Sequence, residues 1–259
     1  MKYTTNLKAM KPDREFAKLE VERLKGMFLK IIIQELRSPI SAIMGFSDLL
    51  KLDEAGDHKN MALDAVSNSS RISEELLDIA LVVSEIDTEQ LATDVRPYKV
   101  SDLFEYALKD NAEIISEKNL EVIMPLDREI TEVVINPTLI KEVIRIFIQN
   151  AFWYSEAGGR IELDIDESID RIVLSISDSG KGFDPESLAN TSKFLKTKDI
   201  TDRSKWPGLR VAVTKYIMDL HFSEIIVENN DHGGASVKLI FPVNNAQLEE
   251  LHQSLSQLN

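Results

Sequence analysis

Three polar residues, Gln34, Glu35 and Ser38, lie close together in a segment whose apolar spacing predicts a helix. The Glu35 carboxylate can accept a proton, and the Ser38 hydroxyl can donate or accept a hydrogen bond. The Gln34 amide nitrogen has a delocalised lone pair, so it is not a nucleophile. This group of residues can therefore orient a reactant, but Gln34 cannot act as a nucleophile.

A second set of residues suited to chemistry occupies the other half of the chain. Asp178 follows a predicted strand and precedes Gly180 and Gly182. In such a pattern the carboxylate can accept hydrogen bonds, and the glycines let the backbone pass close to a ligand. The same pattern also occurs in plain turns.

Two long predicted helices carry the first set. One runs from Glu15 to about Lys51, and the other follows a polar break at residues 53–57. Apolar residues recur at steps of three and four, which gives each helix a continuous apolar stripe. Because two stripes of this length cannot be buried in a lone hairpin, we expect dimerisation into a four-helix bundle. The alternative is docking of the hairpin onto the rest of the same chain.

The second set belongs to a predicted α+β unit that begins near Pro97. Helices are predicted at 100–118, 138–154 and 209–221. Alternating apolar and polar residues between them predict strands with one buried face. We expect a mostly antiparallel sheet with helices on one face, that is, an α/β sandwich. The predicted strands are 120–124, 160–166, 171–177, 224–229 and 235–241.

Composition argues against several classes of protein. The 259 residues carry a net charge of −14, which disfavours binding to nucleic acids or anionic membranes. The chain has no cysteine, so it forms no disulfide, thiolate metal site or thiol nucleophile. Its four histidines show no metal-ligand spacing. No apolar run reaches the ~20 residues that span a bilayer, and we expect a cytoplasmic protein.

The segment from Phe28 to Leu50 resembles the H-box of sensor histidine kinases. The family pattern is F-x-x-x-x-S-H-E-L-R-T-P-L followed by I-x-G-F-S-E-L-L. The phenylalanine, the Glu-Leu-Arg run, the proline and the Gly-Phe-Ser run match at identical spacing. Gln34 stands in the place of the phosphorylated histidine, and Glu35 in the place of the carboxylate that accepts its proton. The resemblance thus implies that autophosphorylation at this site is blocked.

Two further segments resemble the ATP-binding domain of the same family. Residues 136–155 resemble the N-box, in which Asn150 matches the asparagine that coordinates Mg²⁺ on the nucleotide phosphates. The D-x-G-x-G box is matched from Asp178 to Gly182, and its aspartate accepts the adenine amino group. Tyr154 matches the tyrosine of the N-box, and the resemblance places it among the nucleotide-binding residues. Ile146 and Trp153 depart from the N-box, because they replace an asparagine and a lysine near the phosphates.

The second glycine box of the family, G-x-G-L-G-L-A-I-V-K, aligns with residues 206–215. Of its three glycines only Gly208 is kept, since Trp206 and Arg210 occupy the outer positions. That loop closes over the phosphates, and bulky side chains should restrict its approach and motion. Arg210 can instead grip a phosphate as a bidentate donor. The resemblance implies ATP or ADP binding with Mg²⁺ that is weakened or lost.

The resemblance covers nearly the whole chain after Lys18. It implies a dimerisation hairpin at 1–95, an ATP-binding sandwich of the histidine-kinase (Bergerat, GHKL) type at 96–245, and a tail at 246–259. The function it implies is that of a pseudokinase signalling module of a two-component system. Such a module forms a homodimer and binds a response regulator receiver domain or a partner histidine kinase.

Enzymatic functions remain as alternatives. In one, Gln34 replaces the histidine of an active kinase that autophosphorylates and passes the phosphoryl group to a receiver aspartate. In another, the chain is a phosphatase toward a phosphorylated receiver. Ser38 then stands where family phosphatases position water, one turn after the histidine. A related ATPase or serine kinase of the same superfamily is a further alternative, although those proteins have no such bundle.

Overall fold

The computed structural model describes residues 14–51, 59–86, 94–124, 132–197 and 199–243. They form two units, the N-terminal helices and the part of the chain from residue 94 onward. The predicted polar break at 53–57 and the tail at 246–259 lie outside the described residues. The domain boundaries at 95 and 245 stay a prediction.

The N-terminal unit is a pair of helices, α1 (Arg14–Leu50) and α2 (Lys59–Glu85). Lys25 Nζ donates to the Ser84 carbonyl oxygen at 2.8 Å, which ties the early part of α1 to the end of α2. The prediction of two long amphipathic helices is confirmed. Among the described residues, no helix is long and apolar enough to cross a membrane. The buried seam contains Leu24, Phe28, Ile31, Ile32, Ala62, Leu76, Ile79, Val82 and Val83.

The second unit is built on a five-stranded sheet. Its strands are β2 (Glu121–Ile123), β4 (Arg160–Glu167), β5 (Arg171–Asp178), β6 (Glu224–Asn229) and β7 (Ala235–Pro242). Their order in the sheet is β2-β4-β5-β7-β6. Among the described strands of this sheet only the β2–β4 pair is parallel, so the predicted mostly antiparallel sheet is confirmed. A separate pair, β1 (Arg96–Lys99) and β3 (Glu132–Ile135), was not predicted.

One face of this sheet is apolar because buried residues of neighbouring strands are in register. Leu163, Ile176 and Val237 lie side by side across β4, β5 and β7, and all three are buried. Each such side chain contributes roughly 2 kcal/mol by leaving water. The helices of this unit are α3 (Val100–Asp110), α4 (Ala112–Glu117), α5 (Pro137–Tyr154), α6 (Pro185–Leu195) and α7 (Leu209–Leu220). Of these, α5, α6 and α7 contact the sheet, and α3 and α7 also contact α5.

The predicted helix at 100–118 is wrong at Asn111, where the structure divides it into α3 and α4. The Asn111 backbone has φ −115° and ψ 18°, and its side-chain amide donates to the Ala107 carbonyl oxygen at 2.7 Å. Asparagine competes for backbone groups in this way, which ends the helical run. Helix α6 was not predicted, although Asp184 caps it and Pro185 is its first residue, a standard starting signal.

His221 joins the two helices that carry Asn150 and Arg210. Its Nε2 accepts a hydrogen bond from the Asn136 backbone N–H at 3.1 Å, so Nδ1 carries the proton and donates to the Ile217 carbonyl oxygen at 2.7 Å. Asn136 caps α5, whereas His221 follows the last residue of α7. The imidazole therefore connects the start of α5 with the end of α7.

We expect His221 to make the second unit less stable as the pH falls from 6.5 to about 4. Complete burial of the imidazole lowers its pKa to about 4, while the unfolded side chain titrates near 6.5. The unfolded chain therefore binds a proton first, and roughly 3 kcal/mol of stability is lost across this window. Urea unfolding at several pH values measures it. A His221→Asn variant should show a smaller loss, and an equal loss in both proteins would contradict the assignment.

Candidate functional site

Helix α5 positions Asn150 and Tyr154 near its C-terminal end. The helix begins where the Asn136 side chain accepts a hydrogen bond from the Leu139 N–H at 3.2 Å, with Pro137 as the first residue. Its apolar side faces the core, and Ile146 is only 3% exposed. Asn150 lies one turn further on and is half-buried. The Asn150 side chain is therefore partly open to solvent, whereas that of Ile146 is not.

A lysine from a distant segment stabilises the end of α5. Lys118 Nζ donates to the carbonyl oxygens of Phe152, Trp153 and Ser155 at 2.8, 3.1 and 2.9 Å. The ammonium group also lies 5.8 Å from the centroid of the Trp153 ring. The last carbonyls of a helix carry partial negative charge and need partners, and Lys118 supplies both a charge and three donors.

Replacing Lys118 by methionine is expected to destabilise the second unit by about 2 kcal/mol, because helix-end carbonyls lose their charged partner. The apolar stem of the side chain is retained in this variant, so the change isolates the ammonium group. Urea unfolding followed by tryptophan fluorescence measures the effect. Lys109→Met, in which the exposed lysine lies in the last turn of α3, is the control and should cost less than about 1 kcal/mol. Equal losses would show that the three bonds to α5 add nothing.

Asp178 ends β5 with a buried carboxylate that is 9% exposed. Its Oδ1 accepts hydrogen bonds from the backbone N–H groups of Gly180 and Ala235, at 2.8 and 3.1 Å. Burial raises the pKa of Asp178 above its ordinary value, and the two backbone bonds act in the opposite direction. Because both of these bonds use Oδ1, the geometry leaves Oδ2 as the acceptor for a donor such as an exocyclic amine.

Three glycines are required by the backbone around Asp178. A Cβ on Gly234 would lie 1.9 Å from the Asp178 carbonyl oxygen, and one on Gly180 would lie 2.5 Å from the Tyr154 carbonyl oxygen. Gly182 has φ +66°, which disfavours other residues. Gly180 thus fits against the end of α5, so β5 and α5 meet at this point.

Two asparagines of the site were missed from the sequence. The Asn230 amide donates to the Asp178 carbonyl oxygen at 2.8 Å, and its Oδ1 accepts from the Gly234 N–H at 3.0 Å. The side chain of Asn229 exchanges two bonds with the backbone of Phe183, at 2.8 and 2.9 Å. The turn-forming run at residues 229–234 was the signal that marked these residues. Lys118 carried no comparable signal, because it acts at a distance along the chain.

The segment at 199–208, which aligns with the start of the second glycine box, is held by hydrogen bonds within itself. Trp206 Nε1 donates to the Ile200 carbonyl oxygen at 2.9 Å. Asp202 caps a short 3₁₀ turn, and its ion pair with Lys205 at 2.8 Å lowers the pKa of Asp202 to about 2. Gly208 precedes α7 with extended backbone, and a Cβ there would meet nothing within 4 Å. Steric crowding therefore does not require glycine at position 208.

Arg210 reaches from the first turn of α7 to Asn150. Its Nη1 lies 3.5 Å from Asn150 Oδ1, a long hydrogen bond. Asn150 Oδ1 is the oxygen that the resemblance assigns to Mg²⁺. Two unit positive charges about 4 Å apart repel by about 4 kcal/mol at an effective dielectric constant of 20, and a divalent ion doubles this. With Arg210 in this position, the residues here do not fit a divalent cation.

The remaining predicted residues lie on exposed surfaces. Tyr154 is 61% exposed, and Trp153 is also exposed, so neither ring forms part of the core. In the N-terminal unit Gln34, Glu35 and Ser38 are all exposed on α1. Gln34 and Ser38 lie four residues apart on one side of the helix, as expected from the sequence. Their roles stay predictions.

Comparison with known proteins assigns the fold of this site. Residues 135–245 match the family of histidine kinase-, DNA gyrase B- and HSP90-like ATPases. These residues form an ATPase domain of the histidine kinase type. The hairpin that precedes it completes a sensor histidine kinase core with a GHKL-type ATPase domain. ATP binding is the property that this family implies.

Relatives of known name extend the likeness to both units. The sensor protein DivL of Caulobacter vibrioides is 26% identical over 248 residues, which cover 92% of this chain and 31% of DivL. The adaptive-response sensory kinase SasA of Synechocystis is 24% identical over 254 residues, which cover 94% of this chain and 65% of SasA. The chain therefore spans about a third to two thirds of the length of these relatives.

Two solved structures share the fold of the chain. The histidine kinase ThkA, crystallised in complex with the response regulator protein TrrA, has a TM-score of 0.61 at 22% identity. That match covers 90% of this chain and 68% of ThkA. The histidine kinase AdeS of Acinetobacter baumannii has a TM-score of 0.55 at 23% identity, covering 81% of this chain and 98% of AdeS. The predicted α+β fold, a helical hairpin followed by an ATPase sandwich, is confirmed.

Proposed function

We propose that this histidine kinase core is a non-catalytic signalling module of a two-component system. It forms a homodimer through the hairpin and binds the receiver domain of a response regulator or a partner histidine kinase. It modulates phosphotransfer between other proteins without performing it. The observation that carries the proposal is Gln34, exposed on α1 beside Glu35 in an otherwise well-matched H-box.

The chemistry at Gln34 supports the proposal because an amide cannot replace an imidazole in phosphoryl transfer. A neutral imidazole nitrogen attacks the γ-phosphoryl group while the adjacent carboxylate accepts its other proton. Glu35 is present for the second task, but the amide nitrogen lone pair of Gln34 is delocalised and cannot perform the first. Residues next to Gln34, such as Glu35 and Arg37, nevertheless still match the H-box pattern and are exposed. An exposed surface of this kind favours a role in binding.

Restoring histidine at position 34 is expected not to restore autophosphorylation. The reason is that the phosphate end of the ATPase domain has changed as well, at Trp153, Trp206 and Arg210. Incubating Gln34→His with γ-labelled ATP, with an active histidine kinase core as the positive control, tests this. Label on the introduced histidine would favour the alternative function, an active kinase that lacks only its histidine.

An unpartnered apolar stripe on the hairpin supports the homodimer. On α1 the stripe runs through Ile33, Leu36, Ile40 and Met44, of which all but Leu36 are exposed large apolar residues. Ile33, Leu36 and Ile40 also line a shallow groove. The exposed apolar residues Leu63, Leu77 and Leu81 follow heptad-like spacing on α2. A second copy of the hairpin would cover both sets in a four-helix bundle.

The receiver domain is the proposed partner because the ThkA structure, with the same fold, is a complex with a response regulator protein. The test measures binding of the whole chain to each purified receiver domain of its host by biolayer interferometry. We expect micromolar binding to at least one. Ser38→Arg, next to Gln34, should weaken it at least about tenfold. Ser168→Arg, on an exposed turn of the second unit, should leave it unchanged. A dimer that binds no receiver and no histidine kinase would refute the proposal.

A phosphatase is the second candidate function, and the exposure of Ser38 favours it. The hydroxyl lies one turn from Gln34 and is open to solvent, so it can position a water molecule. Dephosphorylation of a phosphorylated receiver by the wild-type chain and by Ser38→Ala distinguishes the two functions. Equal rates in both proteins would remove the phosphatase and leave the binding module.

We further propose that the ATPase domain retains an adenine site with weakened nucleotide affinity. Asp178, Gly180 and Gly182 have the geometry that an adenine ring needs, with a buried acceptor and closely approaching backbone. At the phosphate end, Trp206 fixes the loop by its own hydrogen bond, and Arg210 lies beside Asn150. The loss of affinity should therefore come from the phosphates and not from the base.

A further inference from the structure

We propose that the Arg210 guanidinium replaces the divalent cation at the phosphate end, so that the ATPase domain binds adenine nucleotides without Mg²⁺. This inference rests on the adenine site proposed above. It departs from the Mg²⁺-dependent binding that the N-box resemblance implies.

Arg210 lies beside the oxygen that would coordinate a divalent cation. Its Nη1 lies 3.5 Å from Asn150 Oδ1, the oxygen that a metal would otherwise use. A Mg²⁺ ion needs oxygen ligands at about 2.0–2.1 Å in near-octahedral geometry and keeps several waters. A fixed cationic group this close to Asn150 occupies the space of those waters and repels the ion. The position of the other N-box asparagine is occupied by Ile146, which is apolar and buried in the core.

The guanidinium group of Arg210 can bind phosphate oxygens directly. Arginine is always charged and presents donors in a planar fork that matches two phosphate oxygens. A single such group neutralises part of the phosphate charge that the metal would neutralise. Helix α7 adds to this, because Arg210 lies in its first turn and Gly208 provides no side-chain cap for its N–H groups. Both features favour an anion in the same place.

The segment at 199–208, which precedes Arg210, is held by bonds within itself. The Trp206 indole is bonded to the Ile200 carbonyl oxygen, and Asp202 pairs with Lys205. At the far end of α7, His221 holds the helix to the start of α5. The far end of the helix that carries Arg210 is thus attached to the start of the helix that carries Asn150, and the segment before Arg210 is held by bonds of its own. Arg210 is therefore held near the phosphate site before a nucleotide arrives.

Calorimetric titration of the whole chain with a non-hydrolysable ATP analogue tests the inference, once in excess EDTA and once in excess MgCl₂. We expect binding in EDTA that MgCl₂ does not tighten by more than about threefold. Arg210→Gln should weaken the metal-free binding at least about tenfold, because the phosphates lose their cation. Lys193→Gln removes one exposed positive charge from α6, outside the site, and should leave the affinity unchanged. Unfolding by urea, followed by tryptophan fluorescence, checks that both variants are folded.

Three results would overturn the inference. They are a tenfold or larger tightening by MgCl₂, equal metal-free affinity of the wild type and Arg210→Gln, and the absence of binding in both solutions at millimolar nucleotide. The last result would mean that Arg210 closes the site. None of these results bears on receiver binding by the hairpin, because that binding is measured without nucleotide. A failure of that measurement likewise leaves the titration result standing.

Discussion

Replacing Gly234 by alanine is expected to destabilise the ATPase domain by about 3 kcal/mol or more. The new Cβ would lie 1.9 Å from the Asp178 carbonyl oxygen and 2.7 Å from its carbonyl carbon. Both are backbone atoms, so a side-chain rotation cannot relieve the overlap. The adjacent residue, Ala235, donates to the Asp178 carboxylate, and a backbone shift here would therefore also displace the proposed adenine acceptor.

Tryptophan fluorescence during urea unfolding measures this change selectively, because both tryptophans of the chain, Trp153 and Trp206, belong to the second unit. Gly208→Ala is the matched control. A Cβ at that position meets nothing within 4 Å, and alanine as an N-cap costs about 1 kcal/mol or less. Equal losses in the two variants would show that the close contact at Gly234 relaxes at little cost.

Replacing Ile33 by glutamate is expected to convert the proposed homodimer into a monomer at micromolar concentration. Ile33 is 60% exposed and lies on the unpartnered stripe of α1. In a four-helix bundle its side chain would be buried against the second copy, and a carboxylate there would be desolvated without a partner. A cost of about 3 kcal/mol or more weakens association at least about a hundredfold.

Light scattering coupled to size-exclusion chromatography gives the mass in solution. The control is Ile169→Glu, which makes the same chemical change at a residue that is 99% exposed on the β4–β5 turn. It should remain a dimer. A monomeric wild type would refute the homodimer outright, and a dimeric Ile33→Glu variant would place the interface on a different surface.

The two ends of the proposed nucleotide site differ in what their residues can bind. The adenine end keeps a buried aspartate, with the glycines that its backbone requires. The proposed phosphate end has an arginine beside Asn150 and a tryptophan whose hydrogen bond holds the loop. A site altered in this way suits a ligand that is bound and not turned over. A bound nucleotide would then act as a structural or regulatory ligand of the second unit.

Much of the secondary structure could be predicted from the sequence because it follows from apolar periodicity. Both long helices were predicted, and the bounds of α1 and of the strands β4 to β7 were predicted to within a few residues. The break at Asn111 was missed because it depends on a local side-chain bond to Ala107. The β1–β3 pair was missed because short strands joined across a long interval carry little signal in either segment.

The sequence by itself determined the chemical limits of the candidate sites. An amide at position 34 cannot attack phosphorus wherever the helix places it, and a chain without cysteine has no thiol chemistry. These conclusions depend on residue type alone. The order of motifs along the chain was likewise sufficient to predict a histidine kinase core.

Only the tertiary structure decided which residues meet. Lys118 reaches the end of α5, His221 bonds to Asn136, and Arg210 approaches Asn150. These partners are 34, 85 and 60 residues apart. Contacts of this kind depend on how helices and strands pack, and a hydrogen bond requires its partners to lie within a few tenths of an ångström of the right distance. Periodicity places a residue on a face, but only packing brings two faces together.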